Sequence, residues 1–331
     1  MTHYHIYGIG AALVDTEITV SDSDLTAMAV AKGVMTLVDE PRQSQLISYL
    51  SEHQIAHKVS GGSGANTIIA ANYFGCDNFY SCKVADDDNG RFYLQDIKDA
   101  GVAYPNHLPA AEGITGKCLV MITPDAERSM NTFLGISETV SVNELQRDAI
   151  ATAEYVYIEG YLVSSTTGRA AAIELRKLAQ ANNTRTSLSL SDPAMVQFFR
   201  DGLVDMIGDG VDLLFCNRDE ALGFTQTHSL DHAVEALKKY CKTFAITCGA
   251  EGALVFDGNA LLKTNAYPTK AIDTNGAGDM FAGAFLYALT HGYDYKTAGD
   301  FANFASAKVV AQFGPRLKAA QHRELKDAFF K

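Results

Sequence analysis

Seven residues near the C-terminus carry the clearest chemistry in the chain: Asp273-Thr274-Asn275-Gly276-Ala277-Gly278-Asp279. A turn of small residues runs directly into an apolar helix, in which Phe281, Phe285 and Leu289 recur at i, i+4 and i+8 and define one buried face. His291 and Gly292 supply its C-terminal stop. Gly276, Ala277 and Gly278 thus lie where the first helical N–H groups lack partners. Those donors, with the positive end of the helix dipole, favour an anion that small residues let approach closely. Asp279 falls in the first turn beside that anion. The blander reading of a lone GxGD is a packed helix start with a dipole-favoured acid.

Four further clusters have residue types suited to polar ligands. Asp15 follows the first predicted strand, where it also serves as an ordinary turn residue. Gly61-Gly62-Ser63-Gly64-Ala65-Asn66 again joins a strand to a helix, with Gly75 as its stop. Asn217-Arg218-Asp219-Glu220 follows a strand end, the usual place for ligands in open α/β sheets, although a helix cap with a dipole-favoured Glu gives the same residues. Thr247-Cys248-Gly249 leads a third turn.

The elements that must hold these turns alternate. Strands are predicted at 4–10, 78–84, 155–162, 185–191, 212–217 and 244–248, with helices at 42–53, 88–100, 166–181, 193–208 and 230–241. A hairpin spans 252–257 and 259–265 about Asp257-Gly258, and three helices end the chain at 278–290, 295–310 and 319–329. This predicts an α/β chain whose largely parallel central sheet is covered by helices. Segments 117–123 and 128–134 read as a hairpin across Pro124–Glu127. With 14–20 and 33–39 they predict a small separate β-sheet, a lid formed by residues 12–39 and 114–134 within one domain of residues 1–331.

Several classes are excluded. The net charge is −12 and no Lys/Arg block is present, which argues against a nucleic-acid surface. Six cysteines show no CxxC pair or zinc spacing, as expected of reduced, buried thiols in a cytoplasmic protein. No basic segment with an apolar core opens the chain, and no apolar run is long enough to span a bilayer. Gly8-x-Gly10 begins a dinucleotide pattern, but Leu13 stands where the third glycine belongs. Gly113-x-x-Gly116-Lys117 is too short for a P-loop, and Cys118 replaces its Ser or Thr. His3-x-His5 reads as structural.

The full heptapeptide DTNGAGD, together with GGSGAN upstream, resembles the two signatures of the PfkB family of carbohydrate and nucleoside kinases, across nearly the whole chain. The resemblance implies a ribokinase-like three-layer αβα fold with a β-lid. It also implies transfer of the γ-phosphoryl group of ATP, with Mg²⁺ and in some members K⁺, to a small-molecule hydroxyl in a monomer or homodimer. It assigns Asp279 as catalytic base and the Gly276, Ala277 and Gly278 amides as the anion hole. Acceptor hydroxyls fall to Asp15, Gly61, Gly62 and Asn66. Asn217, Thr247, Gly249 and Asn303 fall to ATP, Asn217 and Glu220 to Mg²⁺ mostly through water, and Asp273, Asn275 and Gly314 to a monovalent cation. At a helix N-terminus Asp279 is expected to stay ionised, a weak base suited to a loose transition state. Details of Thr115–Cys118, Arg128–Gly135 and Ser187–Phe198 lean toward the nucleoside kinases of the family that act on adenosine. There a lid arginine, matched by Arg128, contacts the phosphates. Sugar kinases are the alternative, and a non-catalytic binder is a third reading.

Overall fold

The computed structural model describes residues 2–53, 55–105, 111–125 and 127–331; Ala126, inside the expected hairpin turn, lies outside them. Thirteen strands are described: β1 (Tyr4–Ile9), β2 (Leu13–Thr19), β3 (Met35–Leu37), β4 (Ile55–Gly61), β5 (Asn78–Ser81), β6 (Gly116–Ile122), β7 (Arg128–Phe133), β8 (Ala153–Glu159), β9 (Arg185–Ser189), β10 (Val211–Asn217), β11 (Cys241–Thr247), β12 (Ala253–Phe256) and β13 (Leu261–Lys263). Eight form the main sheet in the order β13-β12-β11-β10-β9-β8-β1-β5. The pairings from β5 to β11 are parallel, and only β12 and β13 add antiparallel.

Alternate residues of these strands enter two apolar cores, one on each face, as the two-residue repeat of a strand requires. Ile6, Tyr157, Leu213 and Phe215 pack with the helices Ser63–Phe74, Ala277–Thr290 and Tyr295–Val309. Tyr7, Ile158, Leu214 and Ile246 pack with Thr166–Ala181, Pro193–Ile207 and Leu230–Leu237. The Ala277–Thr290 helix is the deepest, buried continuously from Met280 to Ala288. Its Phe281 and Phe285 rings meet Phe215 edge-on at 6.5 and 5.6 Å, each burial stabilising by roughly 1.5–3 kcal/mol. One turn beyond Asp279, Gly283 lets the Ser63–Phe74 helix come close: a Cβ there would lie 2.6 Å from the Thr67 carbonyl oxygen.

The second sheet has the order β3-β7-β6-β2-β4. It takes one strand more than the sequence pattern grouped: β4 pairs antiparallel with β2, so the strand leading into Gly61-Gly62 belongs here. One face packs on the helices Asp22–Ala27 and Glu40–Tyr49 through Leu119, Met121, Leu25 and Leu46. The other faces the carboxyl ends of the main strands. A further boundary differs near 241. The helix predicted at 230–241 ends at Leu237, and β11 begins at Cys241 because Cys241 pairs with Val211 at the start of β10.

Candidate active site

A cleft of about 860 Å³ opens between the two sheets, lined by β2, β3 and β7 on one side and by the loops after β8, β10 and β11 and the 273–279 turn on the other. At its floor stands Asp279. Gly276 caps the helix at φ 75°, a left-handed conformation that glycine adopts without strain, and the Pro315 carbonyl packs where its Cβ would be. Gly278 has no atom within 4 Å of the position a Cβ would take, so this side of the turn is open. The Ala277 amide already donates to the Thr274 carbonyl at 3.3 Å.

Asp279 accepts hydrogen bonds from Ser63 Oγ at 2.6 Å and from Asn66 Nδ2 at 3.1 Å. Burial pushes its carboxyl up to about 6, against those two bonds and the charge of Arg316. Asp279 is therefore a better base than its place at a helix N-terminus suggested, because desolvation outweighs the dipole. Asp15 faces the same cleft, buried, and is pushed up to about 7 by burial; Arg316 opposes this, while Glu17 and Asp279 add to it. Gly61 gives this carboxylate its room, since a Cβ would lie 2.1 Å from Asp15 Cγ. Gly62 is at φ 92° with the Ala11 carbonyl against it. Asp15, Gly62, Asn66 and Asp279 thus line the same cleft.

On the far side, Asn217 caps the Arg218–Thr225 helix. Its Oδ1 accepts from the Glu220 amide at 2.8 Å, and Glu220 accepts in return from the Asn217 amide at 2.9 Å and Nδ2 at 2.7 Å. The blander cap is real, and both residues also line the cleft. Burial pushes Glu220 up to about 7. With its carboxylate engaged by the cap, Glu220 suits a hydrated cation rather than a bare one. Thr247 and Gly249 line the same side, Gly249 with open space beside it. Asn303 does not line the cleft: its amide donates to Thr264 Oγ1 at 2.6 Å and to the Asn265 carbonyl at 2.9 Å.

Asp273, Asn275 and Gly314 come together, but around the Asp273 carboxylate. Gly314 N donates to Oδ2 at 2.7 Å, Asn275 N to Oδ1 at 3.0 Å, and the Arg128 guanidinium also donates to Oδ2. Arg128 reaches Glu17 as well, at 3.1 Å, and lines the cleft, while its Nε has no hydrogen-bond partner among the described residues. A monovalent cation at Asp273 does not fit this arrangement, since donors already hold the carboxylate and a guanidinium occupies the cationic position. No cluster of three or more His, Cys, Asp or Glu side chains suited to a metal ion occurs among the described residues. No described helix is long and apolar enough to cross a membrane.

Two residues escaped the sequence reading. Glu159, at the end of β8, is fully buried and accepts from the Ala11 amide at 2.6 Å and the Gly64 amide at 2.7 Å, pinning the turn that leads into β2 with Asp15 to the first turn of the helix that carries Asn66. Burial pushes it up to about 7. Ser63 carries no signal of its own within GGSGAN and meets Asp279 only in the folded chain. An acid closing an apolar strand was the only signal for Glu159.

An open α/β sheet with an anion cradle facing a buried carboxylate, all at the carboxyl ends of its strands, is the arrangement of a group-transfer enzyme. The chain belongs to the pfkB family of carbohydrate kinases, whose profile matches residues 36–322, and it is a phosphotransferase with an alcohol acceptor. The fold is ribokinase-like. Two crystal structures match it at a TM-score of 0.91 and 32% identity: a probable sugar kinase protein from Rhizobium etli CFN 42, covering 99% of both chains, and adenosine kinase from Sinorhizobium meliloti, covering 99% of this chain and all (100%) of that one. Adenosine kinase of Saccharomyces cerevisiae is 28% identical over 93% of this chain and 95% of its own.

Proposed function

We propose that the protein transfers the γ-phosphoryl group of ATP to the primary hydroxyl of a nucleoside, adenosine giving AMP. The observation that carries this is the apolar wall beside Asp15. Leu13, Met35, Leu37, Met130 and Leu134 line the cleft there, and Leu37 remains 46% exposed. A free sugar offers nothing to cover such a wall, whereas the face of a purine does. The adenosine kinases among the relatives support the same reading.

Asp15 and Asn66 hold the ribose hydroxyls, and Gly62 leaves room for the sugar. Asp279 orients the primary hydroxyl and takes its proton. That oxygen forms a bond to the γ-phosphorus while the bond to the β,γ-bridging oxygen breaks, and ADP leaves with the electron pair. The amides at Gly276 and Gly278 and the Arg128 guanidinium receive the charge of the moving phosphoryl group. Thr247 and Gly249 face the nucleotide. Mg²⁺, when bound, offsets the triphosphate charge; Asn217 and Glu220 would hold its waters. K⁺ enters no step. The smaller sheet acts as a lid over the acceptor within a single kinase domain.

The sugar-kinase reading keeps its own support, the Rhizobium etli relative of equal likeness among other sugar-kinase relatives. ATP consumption with adenosine, inosine, ribose, fructose and 2-keto-3-deoxygluconate separates the two. Selective turnover of adenosine is expected; turnover of a free sugar alone would discard the nucleoside pocket and keep the fold.

A further inference from the structure

The C-terminal segment Gly314-Pro315-Arg316 touches both halves of the site. Gly314 N donates to Asp273, at the start of the anion turn. The Pro315 carbonyl packs against Gly276, its cap. Arg316 then crosses to the acceptor side. Its Nη1 donates to Ser60 Oγ at 3.2 Å and its Nη2 to Asp96 Oδ2 at 3.0 Å, with the side chain only 12% exposed. Ser60 is fully buried and immediately precedes Gly61-Gly62; its own amide and hydroxyl also donate to Asp96. Three consecutive residues thus connect the turn that receives the phosphoryl group to the loop that receives its acceptor. The two are joined elsewhere by Ser63 and Asn66 on Asp279, groups that the acceptor itself must engage.

We infer that Arg316 is a positioning residue for phosphoryl transfer, which sets the acceptor loop against the anion turn through the bridge Arg316–Ser60/Asp96. The inference rests on the reading of the 273–279 turn and the strand-to-helix segment 60–66 as the two halves of the site. Its mark is an uncoupling. When the acceptor loop shifts, the anion turn still receives ATP, but the hydroxyl is no longer in line, and water competes for the γ-phosphorus. Burial alone would push the Asp96 carboxyl up, yet Arg316 and Ser60 together hold it below the ordinary range, in keeping with a firm bridge. The chain route does not supply this link: Ser60 and Arg316 are 256 positions apart.

The test uses the full-length wild-type enzyme, Arg316→Met, Arg316→Lys and Asp96→Asn, with MgATP and whichever of adenosine or ribose the wild type turns over. Phosphorylated acceptor and ADP are counted separately. Arg316→Met should lower acceptor phosphorylation by ~10²-fold, the scale of a misplacement of about 1 Å, with the KM for ATP within about threefold. ADP should then exceed phosphorylated acceptor. Arg316→Lys, which keeps the charge and one of the two bonds, should recover part of the transfer. Asp96→Asn, which keeps Arg316 and weakens its anchor, should show the same excess of ADP to a smaller degree and stands in if Arg316→Met does not fold. Wild-type transfer in Arg316→Met, or equal loss of transfer and hydrolysis in every variant, would overturn the inference. Asp279→Asn runs alongside: if it retains turnover, the assignment of the base has failed, while the ratio of ADP to product in the Arg316 variants still judges the bridge.

Discussion

The Ser63 hydroxyl donates to Asp279 Oδ1 at 2.6 Å across 216 positions of sequence, joining the first turn of one buried helix to the first turn of another. With Asn66 on the second oxygen, the carboxylate is held in one orientation before any ligand arrives. An oriented base contributes more through geometry than through basicity.

Asp279→Asn should therefore fold normally and bind ATP, with turnover down by about two or more powers of ten. The new amide can still accept from Ser63, but its NH₂ then confronts the Asn66 donor. Titration calorimetry with an ATP analogue and steady-state rates check both halves. Turnover near that of the wild type would remove Asp279 from the chemistry.

The acid limb of activity should have two contributors. In the proposed mechanism Asp15 at about 7 and Asp279 at about 6 must both be ionised, one to accept the ribose hydroxyls and one to take the proton. The acceptor kcat/KM, which reports the free enzyme, should fall as pH drops from 7 through 6. In Asp15→Asn the acceptor KM should rise and the surviving limb should lie near 6. A profile flat down to pH 5 would contradict the assignment.

Stability should run the other way. Asp15, Glu159, Glu220 and Asp279 all have folded pKa values raised above those of an unfolded chain. The native state thus binds more protons than the unfolded state between about pH 4 and 7, and these groups lower stability as pH rises through that window. Asp15→Asn should raise Tm at pH 8 and leave it nearly unchanged at pH 4. A loss of Tm at pH 8 would mean that the carboxylate stabilises the fold.

Gly276 and Gly278 should fail differently. Alanine at 276 meets the Pro315 carbonyl at 2.2 Å with φ at 75°, so Gly276→Ala should destabilise by about 1–3 kcal/mol. Alanine at 278 meets nothing within 4 Å, so Gly278→Ala should hold or gain Tm and lose activity, by placing a methyl group where the phosphoryl group passes. Thermal melts beside kinetics decide; equal stability of the two variants would count against this account of the turn.

Turnover should be the same in K⁺ and in tetramethylammonium, because Arg128 and two backbone amides already hold Asp273. A strong requirement for K⁺ would show that the Arg128–Asp273 pair opens in the working enzyme.

What could be read in advance was local. The Phe281/Phe285 stripe, the small-residue turns and the βα alternation lie in contiguous sequence, and the helix Thr166–Ala181 matches its predicted bounds. What could not be read was pairing over distance. Glu159 looks like any acid ending an apolar strand until Ala11 and Gly64 arrive from 148 and 95 residues away. The strand before Gly61 carries no mark of which sheet it joins; only β2 decides that. The resemblance assigns Asn303 to the nucleotide, and nothing in its local sequence marks the bonds its amide makes to Thr264 and Asn265. Burial, which raises the Asp279 pKa, is a property of the assembled cleft and of no single segment.

The strands of the smaller sheet and the acceptor loop are complete by Phe133, whereas the donor-side turns begin only at Asn217. On the proposed roles, acceptor choice and phosphoryl donation are inherited largely on separate stretches of the chain, meeting through Asp279, the Arg128–Asp273 pair and the Arg316 bridge. Mutations that recontour the apolar wall of the first stretch, away from Ser63, Asn66 and Arg128, leave the nucleotide side unaltered on this reading. A change of alcohol then needs changes only in the first stretch, and a chimera that swaps residues 1–134 between two relatives, with Ser63, Asn66 and Arg128 kept, is the natural unit for redesign.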